Sequence, residues 1–187
     1  MNKWLYELLY RFPFVPIDWI FGSTSAIENL VDLGLNRGIV PRRAITLGCG
    51  VGRETIYLAQ KGFDVTGVDF STTTINRAKR DAQSKGVKVK FIQDDLTQLQ
   101  HINGTFDLIT DFGALNDLNH ADRDSYMQNL LPLTHFDSRY LMFCFDKKLP
   151  IEEVKQRFGK DFTIEVLNNN PISQFPEGIC LYLMTKK

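Results

Sequence analysis

Residues 44–54, AITLGCGVGRE, join a short apolar run to three glycines at alternate positions, Gly48, Gly50 and Gly52. The apolar run predicts a buried strand, and the ETIYLAQKG that follows predicts a helix ending at Gly62, where a C-cap uses positive φ. Glycines between a strand and a helix permit a tight turn and let a ligand approach the backbone closely. The stretch therefore predicts the first strand and helix of a parallel sheet, with a small ligand at the loop between them.

The alternation of β-rich and helix-like runs continues along the chain. Further strands are predicted over 64–70, 87–95, 106–113, 139–146, 162–167 and 178–185, and helices over 72–86, 122–133 and 151–159. The last two strands are close in sequence and predict an antiparallel hairpin, whereas the loop between the third and fourth strands is too short and polar for a long crossover helix. The fold class is α/β, a doubly wound Rossmann-like sheet of about seven strands, mostly parallel, with a C-terminal antiparallel hairpin.

Length and composition set the broad class. The chain has 187 residues, 43% of them hydrophobic, which predicts a single domain over residues 1–187. Its 22 basic and 22 acidic residues give no positive excess, so nucleic acid is not an expected partner. Prolines and charges interrupt the apolar N-terminus, and no other stretch is long enough to span a bilayer. We therefore expect a soluble cytoplasmic protein, a monomer or homodimer, with no signal peptide and no membrane partner.

Cysteine and histidine usage gives no sign of a metal. The three residues of each type are scattered without metal-ligand spacing, at Cys49, Cys144, Cys180, His101, His120 and His135. We expect no metal site. The cysteines, each in an apolar stretch, are expected to be buried thiols in a reducing compartment.

The glycine pattern distinguishes two kinds of ligand. A dinucleotide site requires G-x-G-x-x-G, whereas this chain has G-x-G-x-G followed by Arg53, so the third glycine is missing. Asp69, at the end of the second predicted strand, supplies a carboxylate that can accept hydrogen bonds from ribose hydroxyls. These residues favour a nucleoside without a required diphosphate, and a nicotinamide-dependent oxidoreductase stays as a less favoured alternative.

Three segments in chain order resemble motifs of the class I S-adenosylmethionine-dependent methyltransferases, especially the small-molecule members. They are TLGCGVGRETIYLAQKGFDVTGVDFS, KFIQDDLTQL and FDLITDFGALNDL, and the resemblance covers nearly the whole chain from residue 40. It implies S-adenosylmethionine as cofactor and methyl transfer to a small-molecule acceptor with a sulfur, nitrogen, selenium or oxygen nucleophile. A non-catalytic S-adenosylmethionine-binding or regulatory protein is the alternative from another class.

The resemblance also implies which residues form the cofactor site. It assigns cofactor contacts to Gly48, Cys49, Gly50, Gly52, Arg53, Asp69, Phe70, Asp95, Leu96, Asp111 and Phe112. Within this set Asp69 would bind the ribose, Phe70 and the pair Asp95 and Leu96 the adenine, and Asp111 with Phe112 the methionine end. Simpler roles are open for several of them: Asp69 as a helix cap, Phe70 as core, and the neighbouring Asp94 as solvated surface.

Catalysis by this design depends on positioning. A sulfonium methyl is already activated, and positioning alone supplies on the order of 7–11 kcal/mol in favourable models. The catalytic candidates are Asp111, Asn116 and Asp117, although Asn and Asp also simply begin turns. Relatives of the resembled family carry an acid where this chain has Thr46, and several carry a histidine at Asn116. An oxygen nucleophile would need a base, which Asp111, Asp117 or His120 would supply.

Residues 1–40 lie outside the predicted sheet and are interpreted as an N-terminal helical cap. Apolar side chains recur there at helical spacing, at Trp4, Leu5, Leu8, Leu9 and Phe12. Tyr10 and Trp19 are the candidate substrate-binding residues, because small pockets are commonly lined by aromatic side chains. Residues 1–21 are predicted to close over the methyl group as a lid, and permanent packing of this segment on the sheet is the alternative.

Overall fold

The computed structural model describes Glu7 and residues 24–167 and 178–187. Over residues 24–167 and 178–187 it has seven strands, six α-helices and one 3₁₀ helix, Leu131–Leu133. Strands β1 to β7 are Arg43–Leu47, Asp64–Asp69, Lys90–Gln93, Leu108–Phe112, Arg139–Phe145, Phe162–Val166 and Ile179–Lys186. Helices α1 to α6 are Thr24–Leu35, Arg53–Gln60, Thr72–Ser84, Ala114–Asp117, His120–Leu130 and Ile151–Phe158. Within these described residues, no helix is long and apolar enough to cross a membrane.

The strands form one sheet in the order β3-β2-β1-β4-β5-β7-β6. Strands β1 to β5 pair in parallel, and β7 runs antiparallel to both β5 and β6. The predicted fold class and its C-terminal hairpin are therefore confirmed. Because the chain order reverses between β1 and β4, a crevice lies at the carboxyl ends of these two strands, where open α/β sheets bind ligands.

Element boundaries differ from the prediction for local reasons. Strand β3 stops at Gln93, short of the predicted end at 95, because the two aspartates that follow turn their carboxylates to loop amides. Helix α5 begins at His120, earlier than predicted, because the Asn119 side chain accepts from the amide of Asp122 at 2.9 Å and caps it. Helix α4 has only four residues and was not predicted.

Alternate residues of the central strands pack on opposite faces of the sheet. Ile45, Leu47 and Ile109 face a cluster that includes side chains of α5 and α6. Ala44 and Leu108 face the other cluster, which includes side chains of α1 and α2. Both faces of β1 and β4 are thus buried, as expected for the centre of a doubly wound sheet.

Thr46 is a polar residue at the middle of β1. It is fully buried, and its hydroxyl accepts a hydrogen bond from the hydroxyl of Thr110 on β4 at 3.2 Å. The register pairs Thr46 with Thr110 on one side and Gly67 on the other. The side chain therefore serves the contact between β1 and β4.

Arg123 of α5 holds the loops at the end of β4 and β5. The guanidinium is buried and donates to the carbonyls of Leu115 at 3.3 Å, Asn116 at 3.0 Å and Lys148 at 2.8 Å. It also pairs with Glu153 of α6 at 2.9 Å. One cation thereby joins α4, α5, α6 and the turn after β5.

Replacing Arg123 tests this junction. Arg123→Met keeps much of the apolar stem but leaves three carbonyls without their donor, so we expect the free energy of unfolding to fall by about 3–5 kcal/mol. Urea denaturation measures the loss. Arg37→Met is the control, because Arg37 pairs with Glu165 at 2.8 Å with its side chain 52% exposed, and it should cost under about 1 kcal/mol. Equal losses in the two variants would contradict the assigned role.

Candidate functional site

The glycine loop after β1 has a backbone that ordinary residues rarely adopt. Gly48, Gly50 and Gly52 have φ values of 73°, 51° and 82°. A Cβ on Gly48 would lie 2.4 Å from the Cβ of Ala114, so this glycine allows α4 to approach the loop. A Cβ on Gly50 would meet no heavy atom within 4 Å, so the loop faces open space at this residue.

The amides of this loop are turned toward the sheet. Gly48 and Cys49 both donate to the carbonyl of Val68, at 2.8 and 2.9 Å, and Gly50 donates to a carboxylate oxygen of Asp69 at 2.8 Å. These donors are therefore engaged inside the protein. Ligand contacts from Gly48, Cys49 and Gly50 would therefore come from their carbonyl oxygens and from close van der Waals approach.

Cys49 is a buried thiol, as predicted. Its pKa is raised well above the ordinary value, chiefly by burial and further by the negative charges of Asp69 and Glu54. The thiol is therefore protonated at neutral pH and is not a nucleophile. The side chain of Cys49 packs, and its backbone shapes the loop.

Asp69 connects three segments at the end of β2. Besides the Gly50 amide, its carboxylate accepts from the Ser71 amide at 2.9 Å and the Thr74 hydroxyl at 3.3 Å. Burial raises the pKa of Asp69, and these hydrogen bonds oppose the rise. Since a carboxylate has about four acceptor positions, one is left for a ligand hydroxyl. Ser71 caps α3 as predicted, by accepting from the amide of Thr74.

The loop after β3 approaches the glycine loop from the side of β2. Leu96 is buried, and its Cδ1 would lie 3.7 Å from a Cβ on Gly48. Among the described residues, none accepts a hydrogen bond from the Leu96 amide. Asp95 is partly buried and accepts from the amide of Thr97 at 3.0 Å. Phe70, directly after β2, is partly buried, and its carbonyl accepts from the side chain of Gln93 at 3.2 Å.

Asp94 does not lie on the solvated surface, and that expectation is wrong. Its side chain is buried, and the two carboxylate oxygens accept from the amides of Asp95 at 2.8 Å and His101 at 2.7 Å. These two amides lie outside the sheet and have no strand partner, so the Asp94 carboxylate accepts from them instead. Asp94 therefore shapes the loop that carries Asp95 and Leu96.

Asp111 at the end of β4 is fully buried and engaged by the protein. Its carboxylate accepts from the amides of Ala114 at 2.8 Å and Leu115 at 3.1 Å and from the Tyr126 hydroxyl at 2.7 Å. The Tyr126 hydroxyl also lies 2.8 Å from that of Tyr140. Burial raises the pKa of Asp111 to about 6, and these hydrogen bonds oppose the rise. The carboxylate therefore holds the start of α4 and joins it to Tyr126 of α5.

Phe112 and Asn116 are likewise held inside the protein. The Phe112 ring packs beside Phe143 with centroids 6.2 Å apart, on the opposite face of the sheet from Asp111. The buried Asn116 amide donates to the carbonyl of Gly113 at 2.8 Å, and its oxygen accepts from the amide of Phe145 at 3.1 Å. Any contact of Phe112 with a ligand at the carboxyl end of β4 must therefore come from its backbone.

Asp117 lies beside Asn116 at the end of α4. Its carboxylate accepts from the Asn116 side chain at 2.9 Å and pairs with Lys148 at 2.6 Å. The carboxylate is 22% exposed and bridges the loops that follow β4 and β5. The structure thus brings the three catalytic candidates together at these strand ends, each bonded to protein groups.

Glu54, in the first turn of α2, was not predicted as a site residue. It is 6% exposed, and burial raises the pKa of its carboxyl to about 8, with further increases from the charges of Asp111 and Asp69. Its neighbour Arg53 is partly buried, and burial lowers the pKa of that guanidinium. The sequence signal for Glu54 is its position four residues before Leu58, on the buried face of α2.

The substrate-binding candidates Tyr10 and Trp19 lie outside the described residues, as does the predicted lid apart from Glu7. Glu7 is described, and its carboxylate accepts from the Thr73 hydroxyl at 2.6 Å, in the first turn of α3. The pKa of Asp69 is raised mainly by burial and also by the charge of Glu7. One residue of the N-terminal segment therefore lies beside the end of β2. Over the described part of the chain, no three His, Cys, Asp or Glu residues could hold a metal.

The sheet order, the glycine loop and the acidic ends of β2 and β4 define a Rossmann-like methyltransferase fold. The family model described as a methyltransferase domain matches residues 44–135, and the chain belongs to the class I S-adenosylmethionine-dependent methyltransferases. It is therefore an enzyme with S-adenosylmethionine as its cofactor.

Proteins similar to this chain are also described as methyltransferases. The chain is 28% identical over 142 residues to an uncharacterised methyltransferase of Schizosaccharomyces pombe, covering 76% of this chain and 95% of that protein. The N-methyltransferase NodS from Bradyrhizobium japonicum, solved with S-adenosylhomocysteine, superposes with a TM-score of 0.76 at 18% identity over 97% of each chain. A TehB-like methyltransferase from Corynebacterium glutamicum gives 0.70 at 22% identity, over 86% and 87% of the chains. The two structures show that the fold is shared.

Removing the Tyr126 hydroxyl tests the network around Asp111. At pH 8 Asp111 is ionised, and Tyr126→Phe should lower the free energy of unfolding by about 1.5–3 kcal/mol, because the lost bond is made to a charged group. At pH 5, below the pKa of about 6, Asp111 is protonated and the loss should be smaller. Urea denaturation at both pH values measures the difference.

The direction of this pH dependence follows from the pKa of Asp111 in the folded and unfolded states. The folded pKa lies above the unfolded value of about 3.9, so ionisation of Asp111 costs stability, a cost absent below about pH 4 and complete above about pH 6. Tyr126→Phe raises the folded pKa further and adds to this cost at high pH. Tyr57→Phe is the control, since it removes a 2.7 Å bond to the partly exposed Asp32 and should cost about 0.5–1 kcal/mol at pH 8. A Tyr126→Phe loss that is equal at both pH values would refute the interpretation.

Proposed function

We propose that this enzyme transfers the methyl group of S-adenosylmethionine to a small-molecule acceptor by positioning the two reactants, without a protein general base. The observation that carries the proposal is the state of the three catalytic candidates. Asp111, Asn116 and Asp117 each bond to protein groups at the ends of β4 and β5. A nucleophile that is already deprotonated, such as a thiolate or an amine, suits a site built in this way.

The reaction is a single displacement. Bound S-adenosylmethionine supplies an electrophilic methyl on a sulfonium. A lone pair of the acceptor forms the new bond to carbon as the carbon–sulfur bond breaks, and the electron pair of the broken bond stays on sulfur. An amine acceptor afterwards loses its proton to solvent, whereas a thiolate has none to lose. The protein's part is to align the acceptor and to exclude water.

The described residues fit the cofactor at the crevice beside β1. The open space at Gly50 would admit a ligand against the backbone. The amide of Leu96, from which no described residue accepts a hydrogen bond, would donate to a ring nitrogen of adenine. Asp95, next in the chain, would accept from the adenine amino group, and the remaining acceptor position of Asp69 would take a ribose hydroxyl. Gly48, Cys49, Gly52, Arg53 and Phe70 complete the proposed contacts around the loop.

Within this proposal Asp111 and Asn116 are positioning residues. Asp111 fixes α4, and Asn116 ties that helix to the end of β5. The methionine end of the cofactor would then pass the backbone of Asp111 and Phe112, which their buried side chains hold in place. Asp117, the most exposed of the three candidates, would border the acceptor.

A panel of acceptors tests the function. With radiolabelled methyl donor, we expect transfer to thiols or amines, with a rate that rises as pH increases through the pKa of the acceptor itself. NodS, which shares the fold, is an N-methyltransferase, and this supports including amines. No transfer to any thiol, selenol, amine or hydroxyl compound, with normal binding of S-adenosylhomocysteine, would instead support the non-catalytic binding alternative.

Gly50→Ala tests the cofactor crevice, with Gly38→Ala as its matched control. Both glycines have positive φ, 51° and 82°, and neither new Cβ would meet a heavy atom within 4 Å. Each variant should therefore lose a similar stability of about 1–2 kcal/mol. Only Gly50→Ala should also weaken S-adenosylhomocysteine binding, by at least about tenfold in Kd. Unchanged affinity in Gly50→Ala by calorimetry would place the cofactor elsewhere.

Deleting residues 1–21 tests the proposed lid. The support for the lid is the contact of Glu7 with Thr73 beside Asp69. A lid completes the acceptor pocket and excludes water, so its loss should abolish methyl transfer. Binding of S-adenosylhomocysteine should stay within about tenfold, or about 1.4 kcal/mol. Normal turnover by the truncated chain, or failure to fold, would support permanent packing or another role for this segment.

A further inference from the structure

Two of the three cysteines lie opposite each other on neighbouring strands. Cys144 of β5 and Cys180 of β7 are partners in the register of this antiparallel pair. Residues directly opposite each other in a sheet carry their side chains on the same face. Both side chains accordingly pack in the core cluster that includes side chains of α5 and α6. Neither cysteine belongs to the proposed cofactor site.

The hydrogen bonds next to the two cysteines define their spacing. The Asp146 amide donates to the Gly178 carbonyl at 2.8 Å, two residues further along each strand, and the Phe145 amide donates to Asn116 on the other side of β5. Hydrogen-bonded and non-hydrogen-bonded pairs alternate in an antiparallel ladder, so the cysteines form a hydrogen-bonded pair, with Cα atoms about 5.5 Å apart. A disulfide spans Cα distances of roughly 4.4–6.8 Å. The backbone is therefore already at the spacing that a disulfide requires.

The two thiols are close enough to influence each other. Burial raises the pKa of Cys144, and the neighbouring Cys180 raises it further. The Cys144 thiol donates to the carbonyl of Leu149 at 3.8 Å, and the side chain of Tyr182 forms a hydrogen bond with that of Cys180. Both cysteines are thiols in this structure. Because hydrogen bonds to thiol sulfur are weak, forming a disulfide here would give up little.

The two sulfurs differ in their exposure to solvent. Cys144 is fully buried, whereas Cys180, at the start of β7, is partly exposed. A reagent from solvent therefore reaches Cys180 first. Cys49, the third cysteine, packs in a separate cluster with side chains of α2 and α3 and provides a natural control.

We propose that Cys144 and Cys180 form a reversible disulfide by exchange with low-molecular-weight disulfides such as oxidised glutathione. The Cys180 thiol loses its proton to solvent, attacks one sulfur of the small disulfide and expels one small thiolate. Cys144 then loses its proton, attacks the Cys180 sulfur of this mixed disulfide and expels the second thiolate. The two expelled thiolates take up the two protons, so two protein thiols are oxidised and one small disulfide is reduced.

The second step is the slow one, because a thiol with a raised pKa is seldom ionised. The exposure of Cys180 leaves the finished disulfide open to attack by small thiols, which makes the link reversible. The modification concerns β5 and β7 alone and does not depend on the acceptor or on the proposed cofactor contacts. It would connect two strands that are 35 residues apart in the chain at this point.

Mass spectrometry of the full-length protein in glutathione redox buffers tests the proposal. After alkylation in denaturant and digestion without reduction, we expect a peptide that joins Cys144 to Cys180, and dithiothreitol should remove it. Cys49→Ala is the control and should keep the link. Cys144→Ala should accumulate glutathione on Cys180, whereas Cys180→Ala should leave the buried Cys144 unmodified.

Urea denaturation supplies a second measurement. A cross-link restricts the unfolded chain, so the oxidised wild-type protein should unfold at a higher urea concentration than the reduced protein. A lower urea midpoint would show that the link does not fit the native register and would contradict the proposal. Three alkylated thiols at every glutathione ratio, or a link that includes Cys49, would also overturn it. These outcomes are read on the wild-type protein and do not depend on any variant folding.

Discussion

The hydrogen bonds to the Asp69 carboxylate are the interaction on which the proposed cofactor site depends. It joins the glycine loop, through Gly50, to the start of α3, through Ser71 and Thr74. A loop of glycines alone would sample many conformations, because each glycine is free at positive and negative φ. The bond from Gly50 to this buried carboxylate, together with the bonds from Gly48 and Cys49 to the Val68 carbonyl, restricts the loop, so it is organised before a ligand arrives. Such preorganisation reduces the conformational cost of binding.

Asp111 performs the corresponding task at the end of β4. Helix α4 has four residues, too few to be stable alone, because nucleation fixes several dihedrals for one hydrogen bond. The carboxylate of Asp111 supplies acceptors for its first amides, while Arg123 bonds its carbonyls. Both walls of the crevice at β1 and β4 are thus held by buried charged side chains. The close approach of Ala114 to Gly48 then brings the two walls together.

The sheet could be predicted from sequence because its signals are local. Apolar residues recur at the periods of a strand or a helix. Caps such as Ser71 and the glycines mark where these elements begin and end. Helix α4 could not be predicted, since four residues show no helical period. The hydrogen bonds that Asp94 and Asp111 accept inside the protein could not be predicted either. An acid at a strand end has the same sequence pattern whether it faces solvent or accepts from amides elsewhere in the protein.

The charges at the carboxyl ends of β2 and β4 support the proposed binding of S-adenosylmethionine in this crevice. Burial raises the pKa of Asp69, Asp111 and Glu54, so each carboxyl resists ionisation and their mutual repulsion adds to the cost at Glu54. S-adenosylmethionine carries positive charge that this environment favours. The product of transfer has lost the sulfonium charge, so any part of the attraction that acts on sulfur weakens after the reaction. Attraction through an ammonium is the same before and after transfer. Contacts to the amino-acid and nucleoside ends of the cofactor therefore hold it without adding to the barrier, whereas a strong attraction to the sulfonium would stabilise the reactant and raise the barrier.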